Sequence, residues 1–440
     1  MIKSIVIKKL FGQFDYRLNF YMSGITIITG PNGFGKSTVL KIIESIEDKD
    51  LYEISRFSFS KLEVELNNGD LLRIEKGDNQ IIVNEVVLKI PNKRVLENLE
   101  KRRELPFIER ISPRDYIDLR DNTLLTYEEV REIRSQFEHE RDISDRLIYF
   151  NIDKARVAKS LQSQYKDLNS FLRRFRKELG PIKFIKEQRL LRKEIDDEDT
   201  EYFSRKREIA IEVINEIPKK IKEEIKNVVL RYSEVSSQLD STFPKRLFNT
   251  TIGISREDYL KELGDIIVRQ EKIQDYKLLN ELKYSSTEYT ESYSQALRVY
   301  LQDTKQKLEV FDDLINRLDL FTEIINSKLN FKKIIISNEN GLTVIKDDGT
   351  ELDTSKLSSG EQQIIVLYYE LIFGVKDKLT LLIDEPEISL HVAWQRELLK
   401  DFKKIIEMKN EELSLIVATH APQVIDNNWD LVIDLGEQYD

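Results

Sequence analysis

The stretch GPNGFGKST, residues 30–38, decides how this chain reads. It follows the apolar, β-branched run GITIIT at 24–29 and precedes TVLKIIESI, whose apolar residues recur at helical spacing. A Gly-rich loop therefore joins a predicted strand to a predicted helix. In that context the match to G-x-x-x-x-G-K-[ST] specifies a phosphate cradle formed by Gly30, Pro31, Asn32, Gly33, Phe34, Gly35, Lys36, Ser37 and Thr38. The glycines let backbone N–H groups turn inward around a β-phosphate. Lys36 can reach the β and γ oxygens, the Ser37 hydroxyl can ligate Mg²⁺, and the helix dipole adds positive potential. A nucleotide's phosphates with Mg²⁺ are the expected ligands.

Further along the chain, LLIDEPEISLH at 381–391 supplies the acids that such a loop needs. A hydrophobic strand delivers Asp384 to its C-terminal end, where it can join the Mg²⁺ shell, and sets Glu385 beside an attacking water as general base. Glu387 is a further, secondary candidate that reads as solvated or at an interface. The run LSLIVATH at 413–420 is a second buried strand ending in His420, a position suited to hydrogen-bonding a γ-phosphate. A fourth element, LSSGEQQ at 357–363, places Ser358 and Glu361 at the spacing of a capping box and so predicts a well-capped helix start. That start, with Ser358, Ser359 and Gly360, also offers N–H donors and a positive dipole end to a γ-phosphate.

In kind and order these four motifs resemble those of the ABC-type ATPase domains of the SMC, Rad50 and RecF group. The resemblance covers about the first 90 and last 110 residues. It implies an α/β fold, a P-loop NTPase of ABC-ATPase type with a large inserted helical subdomain, and Mg²⁺-dependent ATP hydrolysis. It also implies a glutamine that senses Mg²⁺ and water, for which Gln188 in FIKEQRLL stands at the end of a predicted strand. In the resembled group the signature element closes over the nucleotide of a second subunit, which implies a homodimer or higher homo-oligomer assembled around ATP. His391 stands where transporter-type members carry Asp, a form similar to the RecF and overcoming-lysogenisation nuclease branch. For stacking adenine, Phe11 and Phe14 are candidates and equally good core residues.

The organisation along the chain fits one discontinuous α/β domain, its parts at 1–94 and 331–440, around a helical insertion at 95–330 that contains a predicted strand near 181–192. In the first part, IKSIVIKKL is a predicted strand, and FSFSKLEVEL and LLRIEKGDNQIIVN predict a hairpin turning at GDN. In the insertion, Leu308, Phe311, Leu314, Ile315, Leu318, Phe321, Ile325 and Leu329 fall on one face of a long predicted helix. Ile214, Ile217, Ile221, Ile225 and Val228 do the same, with Pro218 as a break or a helix start. KKIIISNENGLTVIKDDGTEL predicts strands around Asn-Gly and Asp-Gly turns.

Composition narrows the function classes. The chain has no cysteine and three histidines in 440 residues, which excludes a disulfide framework or a Cys/His zinc site. A net charge of −10 argues against nucleic-acid adhesion over the whole surface, yet residues 151–193 hold 13 Lys/Arg against 4 Asp/Glu. They are followed by the acidic run EIDDEDTE. No run approaches the roughly 20 apolar residues of a membrane span, and the start MIKSIVIKKLFG does not read as a secretion signal, so no membrane and a cytoplasmic location are expected. Only 20 residues follow His420, so an appended nuclease domain is not expected.

More narrowly, FIKEQRL, LDSTFPKRL, IDEPEISLHVAWQ and ATHAPQVIDNNWDLVIDLG resemble the stand-alone bacterial ATPases of anti-phage defence operons, such as the Septu, retron and PARIS systems. That resemblance implies a sensor and scaffold subunit that restrains a separate nuclease or toxin partner until a phage trigger protein is sensed. The alternative is a RecF/Rad50-like DNA-repair or chromosome-maintenance ATPase, in which the basic stretch at 151–193 would track duplex phosphates.

Overall fold

A computed structural model of the chain describes residues 1–21, 24–47, 51–78, 80–90, 108–110, 115–118, 123–126, 159–187, 189–198, 205–279, 288–375, 379–409 and 413–438. Among these, no helix is long and apolar enough to cross a membrane. The chain divides into two compact units, one of residues 1–187, 376–387 and 409–440, the other of residues 188–375 and 388–408.

The first unit is built on a five-stranded parallel sheet. From edge to edge it runs Ile182–Ile185, Leu379–Asp384, Leu413–Ala418, Gly24–Thr29 and Val432–Asp434. LTLLID and LSLIVA are buried at every position, as expected of strands covered on both faces. The register pairs Asp384 with Ala418 and Ala418 with Ile28. Three strands that lie far apart in sequence thus end level with one another, and the loops that leave them share one carboxyl edge.

The helix Lys36–Glu47 packs Val39, Leu40, Ile42, Ile43 and Ile46 into the core. Each such side chain contributes about 1.5–3 kcal/mol when fully buried, which anchors the loop at the helix start. A second, antiparallel sheet runs Phe14–Asn19, Ile2–Leu10, Lys61–Leu66, Leu71–Gly77, Gln80–Val83 and Val86–Lys89. Its strands Phe14–Asn19 and Lys61–Leu66 alternate strictly between more and less buried positions, the period-2 signature of a half-covered sheet. Gly77 pairs with Gln80 at the end of the predicted hairpin, and Asn79 of the GDN turn lies outside the described residues. A further tight turn at Asn84 and Glu85, both at positive φ, carries the hairpin on to Val86–Lys89; the glutamate gives no sequence signal for it. The helix Lys159–Leu179 adds Tyr165, Leu168, Leu172, Phe175 and Leu179 to this core at steps of three and four.

The second unit is mainly helical. Its helix Ile217–Asn249 starts with Pro218 in the first turn, where the missing N–H is not needed, and buries Ile217, Ile221 and Ile225. The long helix predicted across 308–329 is two, Ser294–Glu309 and Asp312–Asn326, although its eight apolar positions are all buried as the spacing predicts. The break falls at Val310 and Phe311, where the Phe311 N–H donates to the Leu308 carbonyl at 3.0 Å. Asp312 and Asp313 then favour a fresh helix start by their charge at its positive end. The strands Lys332–Ser337 and Gly341–Lys346 pair antiparallel around the expected Asn-Gly turn, with the short strand Glu351–Leu352 beyond the Asp-Gly turn. The helices Ser359–Ile372 and Val392–Met408 complete the unit.

Candidate functional site

The loop at 30–38 leaves the carboxyl end of Gly24–Thr29 with Gly30, Gly33 and Gly35 at φ 141°, 86° and 93°. Gly35 is also constrained by space, since a Cβ there would lie 2.7 Å from Leu10 Cδ2 at a φ that disfavours any side chain. The loop crown is braced from the antiparallel sheet. The Tyr16 hydroxyl donates to the Phe34 carbonyl at 2.7 Å, and the Phe14 ring lies 5.0 Å from that of Phe34. Burial pushes the Tyr16 phenol up to about 12, so it remains a donor. Of the two aromatic candidates, Phe14 is core and Phe11 is exposed.

Lys36 is 6% exposed, and its amine donates to the carbonyls of Gly30 at 2.8 Å and Pro31 at 3.3 Å. The Ser37 hydroxyl donates to the Asp384 carboxylate at 2.9 Å across 347 residues of chain. Asp384 is 5% exposed; burial pushes its carboxyl above the usual range, the neighbouring Glu385 charge adds to this, and the Ser37 hydrogen bond opposes it. A buried oxygen pair of this kind suits a hard cation. Among the described residues no cluster of three or more His, Asp or Glu could cage a metal by itself. Mg²⁺ keeps waters and substrate phosphates in its shell and needs only one or two protein oxygens, so Ser37 and Asp384 fit it.

Glu385 follows at φ 44°, a left-handed conformation that costs a non-glycine residue about 1–3 kcal/mol. Its N–H donates to Ala418 O at 2.8 Å, which ties the acid to the neighbouring strand end. From that strand, His420 brings Nδ1 to 3.4 Å from Glu385 Oε1 and 3.5 Å from Glu387 Oε1. Glu387 is not solvated, contrary to the sequence reading. It is 4% exposed because the turn after Asp384 folds it under the residues that follow Ala418. The structure thus brings together Lys36, Ser37, Asp384, Glu385 and His420, and adds Glu387 and Thr419. Gln188 lies outside the described residues.

In the second unit, Ser358 and Ser359 are exposed at the start of the helix Ser359–Ile372. The capping box is present in both directions: Glu361 N donates to Ser358 Oγ at 3.4 Å, and Ser358 N donates to Glu361 Oε2 at 3.0 Å. Lys332 pairs with Glu361 at 3.0 Å. Gly360 has no room for a side chain, since a Cβ would fall 2.7 Å from the Ser389 carbonyl oxygen. Deeper in the same helix, the Tyr368 hydroxyl donates to Asp401 at 2.6 Å, and the buried Lys328 pairs with Asp401 at 2.8 Å and Glu397 at 2.9 Å. His391 is a helix cap, its Nδ1 accepting from Ala393 N at 3.2 Å at the start of Val392–Met408.

A parallel sheet whose carboxyl edge carries a glycine loop, a buried acid and a helix start defines a P-loop NTPase. The AAA ATPase domain family matches residues 1–425, and the chain belongs to that family of ATP-binding ATPases. No curated protein matches the sequence. Among solved structures, the chain is similar to the SmcHead bound to the C-winged helix domain of ScpA, at 10% identity and a TM-score of 0.36, covering 98% of this chain and 94% of that one. It is also similar to the SMC head domain from Thermotoga maritima, at 11% identity and a TM-score of 0.34, covering 97% and 91%.

Proposed function

We propose that the chain hydrolyses ATP with Mg²⁺ at the sheet edge formed by residues 30–38, 384–385 and 420. The contact between the Ser37 hydroxyl and the Asp384 carboxylate carries this reading, because it joins the two oxygen ligands such a cation needs. When bound, Mg²⁺ neutralises charge on the β- and γ-phosphate oxygens. Lys36 exchanges its loop carbonyls for phosphate oxygens. Glu385 takes the proton from a water that attacks the γ-phosphorus; the bond from phosphorus to the bridging oxygen breaks, and ADP leaves with that oxygen. His420 hydrogen-bonds the γ-phosphate, and Gln188 orients the water and the cation.

By resemblance to the SMC, Rad50 and RecF ATPases, Ser358, Ser359 and Gly360 of a second copy complete each pocket, so that ATP holds a homodimer or larger assembly together. The exposure of both serines at a helix start supports this. In this reading the assembly is the sensor and scaffold of an anti-phage system that restrains a separate nuclease or toxin. Glu385→Gln is expected to bind ATP, to lose about 100-fold or more in turnover and to accumulate as the ATP-bound oligomer in light scattering. Turnover equal to wild type would remove Glu385 from its role, and an unchanged mass with ATP would remove the shared pocket. Co-purification with the products of adjacent genes tests the partner.

A second reading, binding of duplex DNA in repair, draws on Lys166, Arg173, Arg174 and Lys177, all exposed on the helix Lys159–Leu179. Steeply salt-dependent duplex binding would favour it.

A further inference from the structure

We infer that Glu387 is a positioning residue for His420, acting through the turn at 419–421 rather than on the nucleotide. A carboxylate that is 4% exposed has given up its hydration, which costs several kcal/mol unless hydrogen bonds replace it. Glu387 spends its Oε1 on that turn. It accepts from the Thr419 hydroxyl at 2.5 Å and from the His420 backbone N–H at 3.3 Å. The Thr419 hydroxyl in turn accepts from Ala421 N at 3.0 Å, and Thr419 N donates to Ile28 O at 3.1 Å, on the strand that feeds the glycine loop. Thr419 itself is fully buried.

The turn is therefore held at three successive residues, with one carboxylate oxygen and one hydroxyl as its hub. The consequence falls on the imidazole. Its Nδ1 edge faces Oε1 of both Glu385 and Glu387, at 3.4 and 3.5 Å, which leaves Nε2 on the opposite edge of the ring for a ligand. Side chains that orient a functional histidine commonly do so by engaging the nitrogen it does not use. Glu385 is committed to the attacking water in the proposed mechanism, so Glu387 is the carboxylate that can hold the histidine throughout a turnover. The inference rests on the proposed role of His420.

The test is a double-mutant cycle on purified full-length protein, read as kcat, KM and nucleotide affinity. Glu387→Leu is expected to lower kcat about tenfold or more while the affinity for ATP stays within about twofold, the pattern of lost positioning rather than lost binding. Thr419→Val should lower kcat in the same way, and Glu387→Gln, which keeps an acceptor oxygen for Thr419, should lose less than Glu387→Leu. In a His420→Ala background, Glu387→Leu and Thr419→Val should change nothing further. A readout without nucleotide is available as well: the ¹⁵N-imidazole resonances that vanish in His420→Ala should shift in Glu387→Leu and Thr419→Val. Losses that multiply with that of His420→Ala, or His420 resonances that stay in place, overturn the inference. If Glu387→Leu does not fold, Thr419→Val decides by the same criteria. Wild-type turnover in His420→Ala would instead overturn the proposed role of His420, and this inference with it.

Discussion

Two helix starts in this molecule carry the same local physics and use it in opposite ways. At Lys36–Glu47 the preceding loop spends three glycines at positive φ, and the lysine amine rests on two loop carbonyls. At Ser359–Ile372 the chain supplies its own caps, with Ser358 and Glu361 bonded to each other's backbone and Lys332 neutralising the glutamate. The first start is arranged to receive an anion by itself. The second is already satisfied, so a phosphate arriving there must add to a formed helix terminus rather than complete an open one.

The sharpest test of this contrast is Lys36→Ala, which should abolish ATP binding, read as a loss of about 100-fold or more in titration calorimetry; an affinity within about tenfold of wild type would break the comparison. Next comes Gly360→Ala. A methyl group there meets the backbone oxygen of Ser389, which cannot swing aside, so we expect about 1–3 kcal/mol of destabilisation and a melting temperature lower by several degrees. An unchanged melting temperature would mean that Gly360 is kept only for approach to a phosphate. Ser358→Ala should cost about 1 kcal/mol as a lost N-cap, readable in urea unfolding, and Ser359→Ala should cost no comparable amount because Ser359 is not the cap. Equal stability losses would show that the box is not what ends the helix. Tyr16→Phe, which removes the brace on Phe34 O, should cost about 0.5–1.5 kcal/mol, similar to the Ser358 cap, with a modest rise in KM for ATP.

The site was legible in sequence where chemistry is written in contiguous residues. The glycine loop, the apolar runs that deliver Asp384 and His420, the hairpin around GDN and the capping box each depend on neighbours a few positions apart. Three features were not legible for the complementary reason. Glu387 looks like a surface acid because charged residues are usually solvated, and only the fold of the turn beneath Thr419 buries it. The apolar face from Leu308 to Leu329 keeps its period across a break, because its positions are buried on both sides of the junction between two successive helices. Glu385 adopts φ 44° with no residue-type signal, its N–H tied to Ala418 O at the end of the neighbouring strand.

What the sequence determined by itself is therefore the set of parts: a loop able to cradle a phosphate, two acids and a histidine at strand ends, and a helix with its own cap. Tertiary structure decided their meeting. Ser37 reaches Asp384 across 347 residues, and His420 reaches both glutamates, because three parallel strands share one register. Local propensity acts over a few residues, whereas register between distant strands is set by packing of their buried faces, which no short stretch encodes.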